Sequence, residues 1–373
     1  MEDLKADLVR LAKQQGFVEA VVARAEPNFE ARDIILDRVR DGSFSGLAWF
    51  DERRAIRATD PRSSLGGAES VILLAASYAN PTPPRDGSRL RGRIARYAWG
   101  RDYHRVLEKR ARPLVALIAE RVPGAASRIV VDHAPLAERV FARAAGLGWQ
   151  GKNTMLLARG VGSYTFLAAL LTTAVLEPDS PVAQHCGACA RCLPACPTGA
   201  LRDEYELVND LCIAHQTIEN RGVIPRALRR QMGDWVFGCD LCQEACPVNE
   251  GASAAAFDDF AAASPDDAHP DLIAALEMSE QGFRERFAGR PILRAKYAGF
   301  LRNVCVALGN VGDQTAVGAL VRALAHEQPL VRGHAAWALG RLGAGEALHD
   351  RRRVERDPWV IEEIDAALEE AGG

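Results

Sequence analysis

The sequence has no apolar run near the roughly 20 residues that a membrane-spanning helix needs. It also has no excess of basic charge, because 46 Lys and Arg stand against 49 Asp and Glu, a formal net charge of −3. Any contact with nucleic acid must therefore come from a local basic patch. The first residues are charged and lack the apolar core of a secretory signal, and Arg53-Arg54 lies too far along for a twin-arginine export signal. We expect a cytoplasmic protein that does not enter a membrane and, without a coiled-coil seam, a monomer.

Disulfides are not expected either, although the chain has nine cysteines. Eight of them lie between Cys186 and Cys246 in an order typical of ferredoxins. Thiolates that bind metal must stay reduced, which again favours the cytosol. The ninth, Cys305, lies in a predicted helix over 301–308, and we expect it to be a buried small hydrophobic residue.

The cysteines form two runs. The segment from Cys186 to Pro197 reads C-x2-C-x2-C-x3-C-P, the spacing of bacterial ferredoxins, and a shorter copy begins at Cys239 and ends in Cys246-Pro247. Soft thiolates select iron–sulfur clusters or zinc. The prolines and the three-residue gaps favour iron–sulfur, with zinc as the alternative.

In paired ferredoxin motifs the fourth cysteine of each run ligates the other cluster. We therefore predict two 4Fe–4S clusters that pass single electrons onward. Cys212 is the only unassigned cysteine nearby, so we assign it to the second cluster, which is otherwise one ligand short. The predicted ligand sets are Cys186, Cys189, Cys192 and Cys246 for one cluster, and Cys196, Cys212, Cys239 and Cys242 for the other.

Apolar periodicity predicts three domains. Alternating strands and helices indicate an α/β domain over 1–180, with a strand at 71–76 buried on both faces and a strand at 129–131 followed by a helix at 136–145. The cysteine runs define a ferredoxin-like domain over 181–250. Residues 251–373 are alanine-rich, and Ala307–Gly312 recurs as Ala338–Gly343 at an offset of 31 residues. This period predicts HEAT-like helical repeats, with a plain helical bundle as the alternative.

Three polar or glycine-rich features have two readings each. Asp132 lies at a predicted strand end, where α/β sheets place ligands, yet an aspartate before a helix is also a common N-cap. Residues 146–151 satisfy G-x-G-x-x-G, but a predicted helix precedes them where the dinucleotide fingerprint needs a strand, so their glycines are expected to admit another bulky ligand. The third feature is the basic set Arg221, Arg226, Arg229 and Arg230. This set is either a solvated helix face or a patch that contacts phosphate.

Several motifs occur together in one order. They are Arg57-x-x-Asp60-Pro61-Arg62, Gly100–His104, Val131-Asp132 with Pro135-Leu136-x-Glu138-Arg139, Ala145–Thr154, Gly162–Tyr164, Gly238–Pro247, both cysteine runs and the C-terminal repeats. On these motifs the chain resembles, over nearly its whole length, the epoxyqueuosine reductases. These are cobalamin-dependent iron–sulfur enzymes of the last step of queuosine modification in tRNA.

The resemblance implies base-off cobalamin in the α/β domain, with Asp132 as the proton donor to the epoxide. A carboxylic acid can fill this role provided that burial holds its pKa near working pH. It also implies a tRNA substrate with a queuosine-type anticodon, contacted by the basic set and the C-terminal repeats, and a low-potential electron donor. The residues expected to bind the cofactor are Arg57, Tyr97, Asp132, Lys152, Asn153, Met155, Ser163 and Cys212.

Two other functions stay open. A reductive dehalogenase shares the cobalamin and the clusters but acts on small organohalides, and such enzymes usually carry the export signal that is absent here. A non-catalytic electron-transfer adaptor would instead use its clusters to serve a partner docked on the helical repeats.

Overall fold

The computed structural model describes residues 2–47, 49–85, 87, 90–252 and 254–372. The chain forms two compact units, each assembled from three separate stretches. The first unit comprises Met1–Pro81, Arg101–Asp210 and Leu241–Ala261, and the second comprises Thr82–Gly100, Leu211–Asp240 and Ala262–Gly373. None of the helices in these described ranges is both long enough and apolar enough to cross a bilayer. The three-domain division stays a prediction from the sequence.

Helices make up most of the regular structure. They are α1 Glu2–Gln14, α2 Phe29–Arg40, α3 Glu52–Ala58, α4 Tyr103–Arg121, α5 Glu138–Ala144, α6 Ile213–Ile218, α7 Arg226–Arg229, α8 Leu241–Glu244, α9 Leu272–Leu276, α10 Glu280–Arg286, α11 Tyr297–Val311, α12 Val317–Ala323, α13 Pro329–Arg341, α14 Gly345–Val354 and α15 Pro358–Gly372. The strands are β1 Glu19–Arg24, β2 Ser70–Ser77, β3 Arg93–Ile94, β4 Ser127–Val130, β5 Gly148–Gln150, β6 Leu156–Ala158, β7 Thr165–Thr172, β8 Leu201–Asp203, β9 Glu206–Leu207 and β10 Trp235–Phe237.

A four-stranded sheet in the order β1-β2-β7-β4 forms the centre of the first unit. Strand β2 is buried along its whole length, as the apolar run predicts. Alternate residues of a strand share a face, so Val71, Leu73 and Ala75 lie together in one core cluster with Phe141 of α5. Helix α4 packs on β4 and β7.

The pairing direction differs from the α/β prediction. Every neighbouring pair in the sheet is antiparallel, so the unit mixes helices with an antiparallel sheet. An α/β domain normally has parallel strands, but periodicity reports only which residues are buried and carries no information on strand direction. Asp132 does follow β4, yet the rule that places ligands at the carboxyl ends of parallel strands does not apply to it. The next helix, α5, spans Glu138–Ala144 rather than the predicted 136–145, and Pro135 lies in the bend before it.

The second unit is mainly helical. Helix α13 packs against α11, α12 and α15. Close approach is possible because α13 carries glycines: a methyl group at Gly340 would collide with Ala367, and one at Gly333 with Trp359. Cys305 is fully buried in α11, and burial raises the pKa of its thiol, so this cysteine is a structural hydrophobic residue as predicted.

Candidate active site and cluster-binding cysteines

Asp132 lies in the loop between β4 and α5 and has a left-handed backbone, with φ 55°. Its carboxylate accepts a hydrogen bond from Tyr103 Oη at 2.8 Å, and its N–H donates to Glu138 Oε1 at 2.9 Å. It is not the N-cap of α5, since Ala137 occupies that position. The side chain is 69% exposed, so the protein alone does not supply the burial that the proton-donor role needs.

Two residues at the start of α4 flank the Asp132 carboxylate. The Tyr103 ring stacks on Phe166 with centroids 4.5 Å apart, which fixes the direction of its hydroxyl. His104 Nδ1 lies 2.6 Å from Asp102 Oδ1, and its Nε2 lies 3.9 Å from Asp132 Oδ2. Burial tends to raise the pKa of Asp102, but its contacts with His104 outweigh burial and lower this pKa. Asp102 therefore stays ionised as a partner for the His104 imidazole. From the sequence alone, Asp102, Tyr103 and His104 are included only as part of the motif Gly100–His104 and are assigned no role.

Glu138 is the other acid of this site. Burial of its side chain, together with the nearby Asp132 charge, raises the pKa of Glu138 to about 7. Its carboxylate accepts the N–H of Asp132. Asp132 and Glu138 therefore form a carboxyl pair with different surroundings, one exposed and one desolvated. The sequence signal for this residue was its place in the motif Pro135-Leu136-x-Glu138-Arg139.

The glycine-rich segment forms a β-hairpin in which β5 pairs with β6 around the loop 151–155. The predicted helix does precede it, so it is not a dinucleotide fingerprint. Its glycines are explained by contacts within the chain. A side chain at Gly146 would collide with the Ser180 carbonyl, and one at Gly148 with the Leu157 carbonyl. The expectation that they leave room for a ligand is therefore not supported.

Three residues predicted to bind the cofactor connect this hairpin and the start of β7 to segments that carry cysteines. Lys152 Nζ donates to the carbonyl oxygen of Gly187 at 2.9 Å, and Asn153 Nδ2 lies 3.5 Å from the carbonyl oxygen of Cys242. Ser163 and Asn249 exchange two hydrogen bonds, of 2.8 and 2.9 Å. All three predicted residues are at most 5% exposed.

The other predicted cofactor contacts are spread over both units. Arg57 is exposed at the end of α3, and Met155 is half-buried in the hairpin loop. Tyr97 and Cys212 belong to the second unit, where the Tyr97 ring lies 6.0 Å from that of Phe237.

None of the nine cysteines, all of which lie in the described ranges, forms a disulfide, and the seven in the two runs are partly exposed, as is Cys212 between them. Burial and then the neighbouring thiols raise the pKa of Cys192, and the thiols with the strongest effect are Cys186, Cys246 and Cys189. Burial, Cys186 and Cys189 likewise raise the pKa of Cys246. These four are the predicted ligands of the first cluster, and their mutual influence supports that assignment.

The second predicted set is divided between the units, with Cys196 and Cys242 in the first and Cys212 and Cys239 in the second. Within the described residues, no three His, Cys, Asp or Glu side chains converge closely enough to hold a single metal ion. The thiols of the first predicted set, Cys186, Cys189, Cys192 and Cys246, are therefore near one another, but they are not arranged as the ligands of a single metal ion.

The basic set around α7 is largely occupied by ion pairs. Arg229 is fully buried and binds both oxygens of Glu363, at 2.6 and 2.7 Å. Arg226 also pairs with Glu363, at 2.6 Å. A phosphate contact by Arg229 would leave Glu363 buried with one partner fewer, so we remove Arg229 from the predicted RNA contacts. Arg221 and Arg230 are exposed.

Reduced cysteines in paired ferredoxin runs, beside a loop that carries carboxylic acids, define an iron–sulfur oxidoreductase. A family model for a 4Fe–4S double cluster binding domain matches residues 185–249, in agreement with the two predicted clusters. A model described as epoxyqueuosine reductase QueG, DUF1730, matches residues 58–133, and one for HEAT repeats matches residues 291–369.

Curated relatives cover nearly the whole chain. The epoxyqueuosine reductase of Bacillus anthracis is 32% identical over 99% of this chain and 97% of its own length. That of Escherichia coli K12 is 36% identical over 88% of this chain and 86% of its own length. The chain belongs to the epoxyqueuosine reductase family.

Solved structures agree with this assignment. A selenomethionine-labelled epoxyqueuosine reductase superposes with a TM-score of 0.92, at 30% identity and 99% coverage of both chains. An epoxyqueuosine reductase bound to a tyrosine tRNA stem–loop modified with epoxyqueuosine also has a TM-score of 0.92, at 30% identity, with 100% of this chain and 99% of that chain covered. A third, from Bacillus subtilis, has a TM-score of 0.91 at 30% identity and 99% coverage of both chains, and its catalytic aspartate loop is swung out of the active site.

Proposed function

We propose that this protein reduces epoxyqueuosine to queuosine in tRNA. The epoxide takes up two electrons and two protons, its oxygen leaves as water, and the ring becomes an alkene. Near full-length similarity to epoxyqueuosine reductases supports the reaction, and the relative bound to a modified tRNA stem–loop supports the substrate.

One set of contacts within the first unit carries the proposal. Arg139, next to Glu138, donates from Nη1 to the Thr154 carbonyl oxygen at 3.4 Å. The same hairpin loop contacts the cysteine segments through Lys152 and Asn153. This loop is therefore linked on one side to α5, whose Glu138 contacts the Asp132 main chain, and on the other to segments that carry predicted cluster ligands. That arrangement suits a reaction that consumes both protons and electrons at one carbon–oxygen bond.

We propose that cobalamin binds beside this loop. Thr154 holds a left-handed backbone, with φ 65°, and strained backbone in a non-glycine residue is concentrated at ligand-shaping loops. Buried polar groups at Lys152, Asn153 and Ser163, with Met155 beside them, would hold the corrin from the first unit, while Arg57, Tyr97 and Cys212 are further proposed contacts. When bound, the clusters supply single electrons and cobalamin supplies a strongly reducing metal centre.

The side chains around Asp132 handle the proton. We assign to Asp132 the donation of a proton to the departing epoxide oxygen. Tyr103 Oη orients the Asp132 carboxylate, and Asp102 holds His104 so that Nε2 faces it. The exposure of Asp132 leaves this carboxyl open to a bound nucleoside, which would then desolvate it. The Bacillus subtilis relative, whose catalytic aspartate loop is swung out of the active site, supports a loop-borne acid.

The RNA is held elsewhere. Arg221, Arg226 and Arg230 remain proposed backbone contacts together with the C-terminal repeats, since RNA binding needs only a local basic surface on a chain of net charge −3. We further propose a low-potential redox protein as the electron donor and a monomeric enzyme.

The test is an anaerobic assay of the reconstituted protein on tRNA that contains epoxyqueuosine, with and without cobalamin, reading the nucleoside product. We expect queuosine only when cobalamin is present. Asp132→Asn should lower kcat by about 10²–10⁴-fold, the usual contribution of a general acid. Asp37→Asn removes a carboxylate that is 79% exposed on α2 and serves as the matched control.

Product formation without cobalamin would contradict the cofactor proposal, and normal turnover by Asp132→Asn would contradict the proton-donor role. A protein with two clusters, no affinity for cobalamin and no turnover would be the electron-transfer adaptor.

A further inference from the structure

The left-handed conformation of Asp132 has to be maintained by its surroundings. A non-glycine residue at φ 55° lies in a sparsely populated, strained backbone region, although aspartate tolerates this region better than most residues. The loop is also tight, since the His133 N–H donates to the Val131 carbonyl oxygen at 2.6 Å. The Tyr103 hydroxyl holds only the end of the side chain. The main chain at Asp132 needs a separate partner.

Glu138 is that partner. Its Oε1 accepts the Asp132 N–H at 2.9 Å, and the same carboxylate accepts its own backbone N–H at the start of α5. Ala137, the N-cap, offers no side-chain acceptor of its own. Helix α5 is fixed to the sheet, because Phe141 and Ala142 are buried in the core against β1, β2 and β7. The Glu138 carboxylate thus joins a helix that is packed on the sheet to the main chain of the loop at Asp132.

We propose that Glu138 is a positioning residue for Asp132, whose carboxylate fixes the Asp132 main chain so that the acid side chain points toward the bound nucleoside. This inference rests on the proposed function and deepens it. It predicts that Glu138 acts on kcat through Asp132 and has no part in binding the RNA.

The ionisation of Glu138 gives the bond a pH dependence. An ionised carboxylate accepts a hydrogen bond more strongly than a neutral one. Because the pKa of Glu138 is raised to about 7, the hydrogen bond weakens as pH falls through that value. Asp132 raises this pKa and Arg139 lowers it.

Few other charges belong to the elements packed around α5. The strands β2, β5 and β7 carry no ionisable residue, and β1 carries Glu19 and Arg24. Helix α3 reaches the start of α5 through the hydrogen bond from Ala137 N to Ala58 O and ends beside Arg57.

The experiment compares three variants with the wild type on epoxyqueuosine-containing tRNA. Glu138→Ala should lower kcat roughly tenfold or more, as small misplacements of a catalytic group do, with KM for the tRNA unchanged. Glu138→Gln keeps an oxygen acceptor, so it should retain most of kcat but lose the limb of the pH profile near 7. Glu108→Gln removes a half-buried carboxylate beside His133, 3.7 Å away, and should leave kcat and the profile unchanged.

If the wild type turns over and Glu138→Ala has the same kcat, this inference is overturned and the proposed function is left intact. An equal loss in Glu108→Gln, or a pH limb that persists in Glu138→Gln, would also overturn it. A crystal structure of Glu138→Ala tests the positioning without any turnover. We expect Asp132 to leave the positive-φ region there, and Asp132 still at φ near 55° would refute the inference even if the wild type were inactive.

Discussion

Interleaved cluster ligation can be tested by counting iron in double variants. The two 4Fe–4S clusters of the matched domain contain 2 × 4 = 8 iron atoms per chain. The thiols that most strongly raise the pKa of Cys192 include Cys246 from the distant run but not Cys196 from its own run. Cys186 and Cys246 should therefore hold the same cluster, while Cys186 and Cys196 should hold different ones.

The double variant Cys186→Ala/Cys246→Ala should lose one cluster and keep about 4 iron atoms per chain, because both changes affect one ligand set. Cys186→Ala/Cys196→Ala affects both sets and should keep almost none. The assay is anaerobic reconstitution followed by iron and sulfide analysis per chain. Alanine is used because a serine oxygen could replace the lost sulfur.

The opposite result would refute the reasoning. If each run held its own cluster, the first variant would lose all iron and the second would keep half. Cys305→Ala is the control, since this fully buried thiol lies in α11 outside both runs. It should keep all 8 iron atoms and lose on the order of 1 kcal/mol of stability from the small cavity.

Three further predictions concern stability and RNA binding. Glu363→Ala leaves the buried Arg229 unpaired and should lower the free energy of unfolding by about 3–5 kcal/mol, read from urea denaturation; a loss below about 1 kcal/mol would contradict the buried pair. Burial favours the neutral form of the Glu355 carboxyl, but the hydrogen bond from Arg332 holds the pKa of Glu355 well below its ordinary 4.5. The stabilisation from this ion pair is therefore present above that pH and is lost as pH falls below it. A Glu355→Gln variant should show a weaker acid dependence of unfolding. Arg230→Gln should weaken tRNA binding and reduce the slope of log affinity against log salt by about 1, and an unchanged slope would remove this residue from the interface.

Local signals in the sequence predicted the local features well. The spacing of the cysteines predicts their chemistry because neighbouring ligands of one cluster are close along the chain. The apolar run in β2 and the helical repeat with Cys305 are also local patterns, and the structure confirms the burial of both.

Features that depend on distant contacts could not be predicted in this way. Tyr103 and Asp132 are 29 positions apart, and nothing in either segment indicates that the hydroxyl reaches the carboxylate. The antiparallel sheet was missed because burial patterns are the same for both strand directions. Arg229 was placed on the surface because its buried partner, Glu363, lies 134 positions further on.

The first unit is assembled from three separate stretches of the chain, and this order affects how the protein acquires its iron during synthesis. That unit takes its last stretch from Leu241–Ala261, which carries Cys246. On the proposed ligation, 54 positions separate Cys192 from Cys246, so at a ribosomal rate of about 5–20 residues per second the first three thiols of that cluster are made roughly 3–11 s before the fourth. During that interval the nascent chain presents an incomplete ligand set. Scaffold proteins that deliver clusters must therefore wait for, or protect, a polypeptide that is already two-thirds complete.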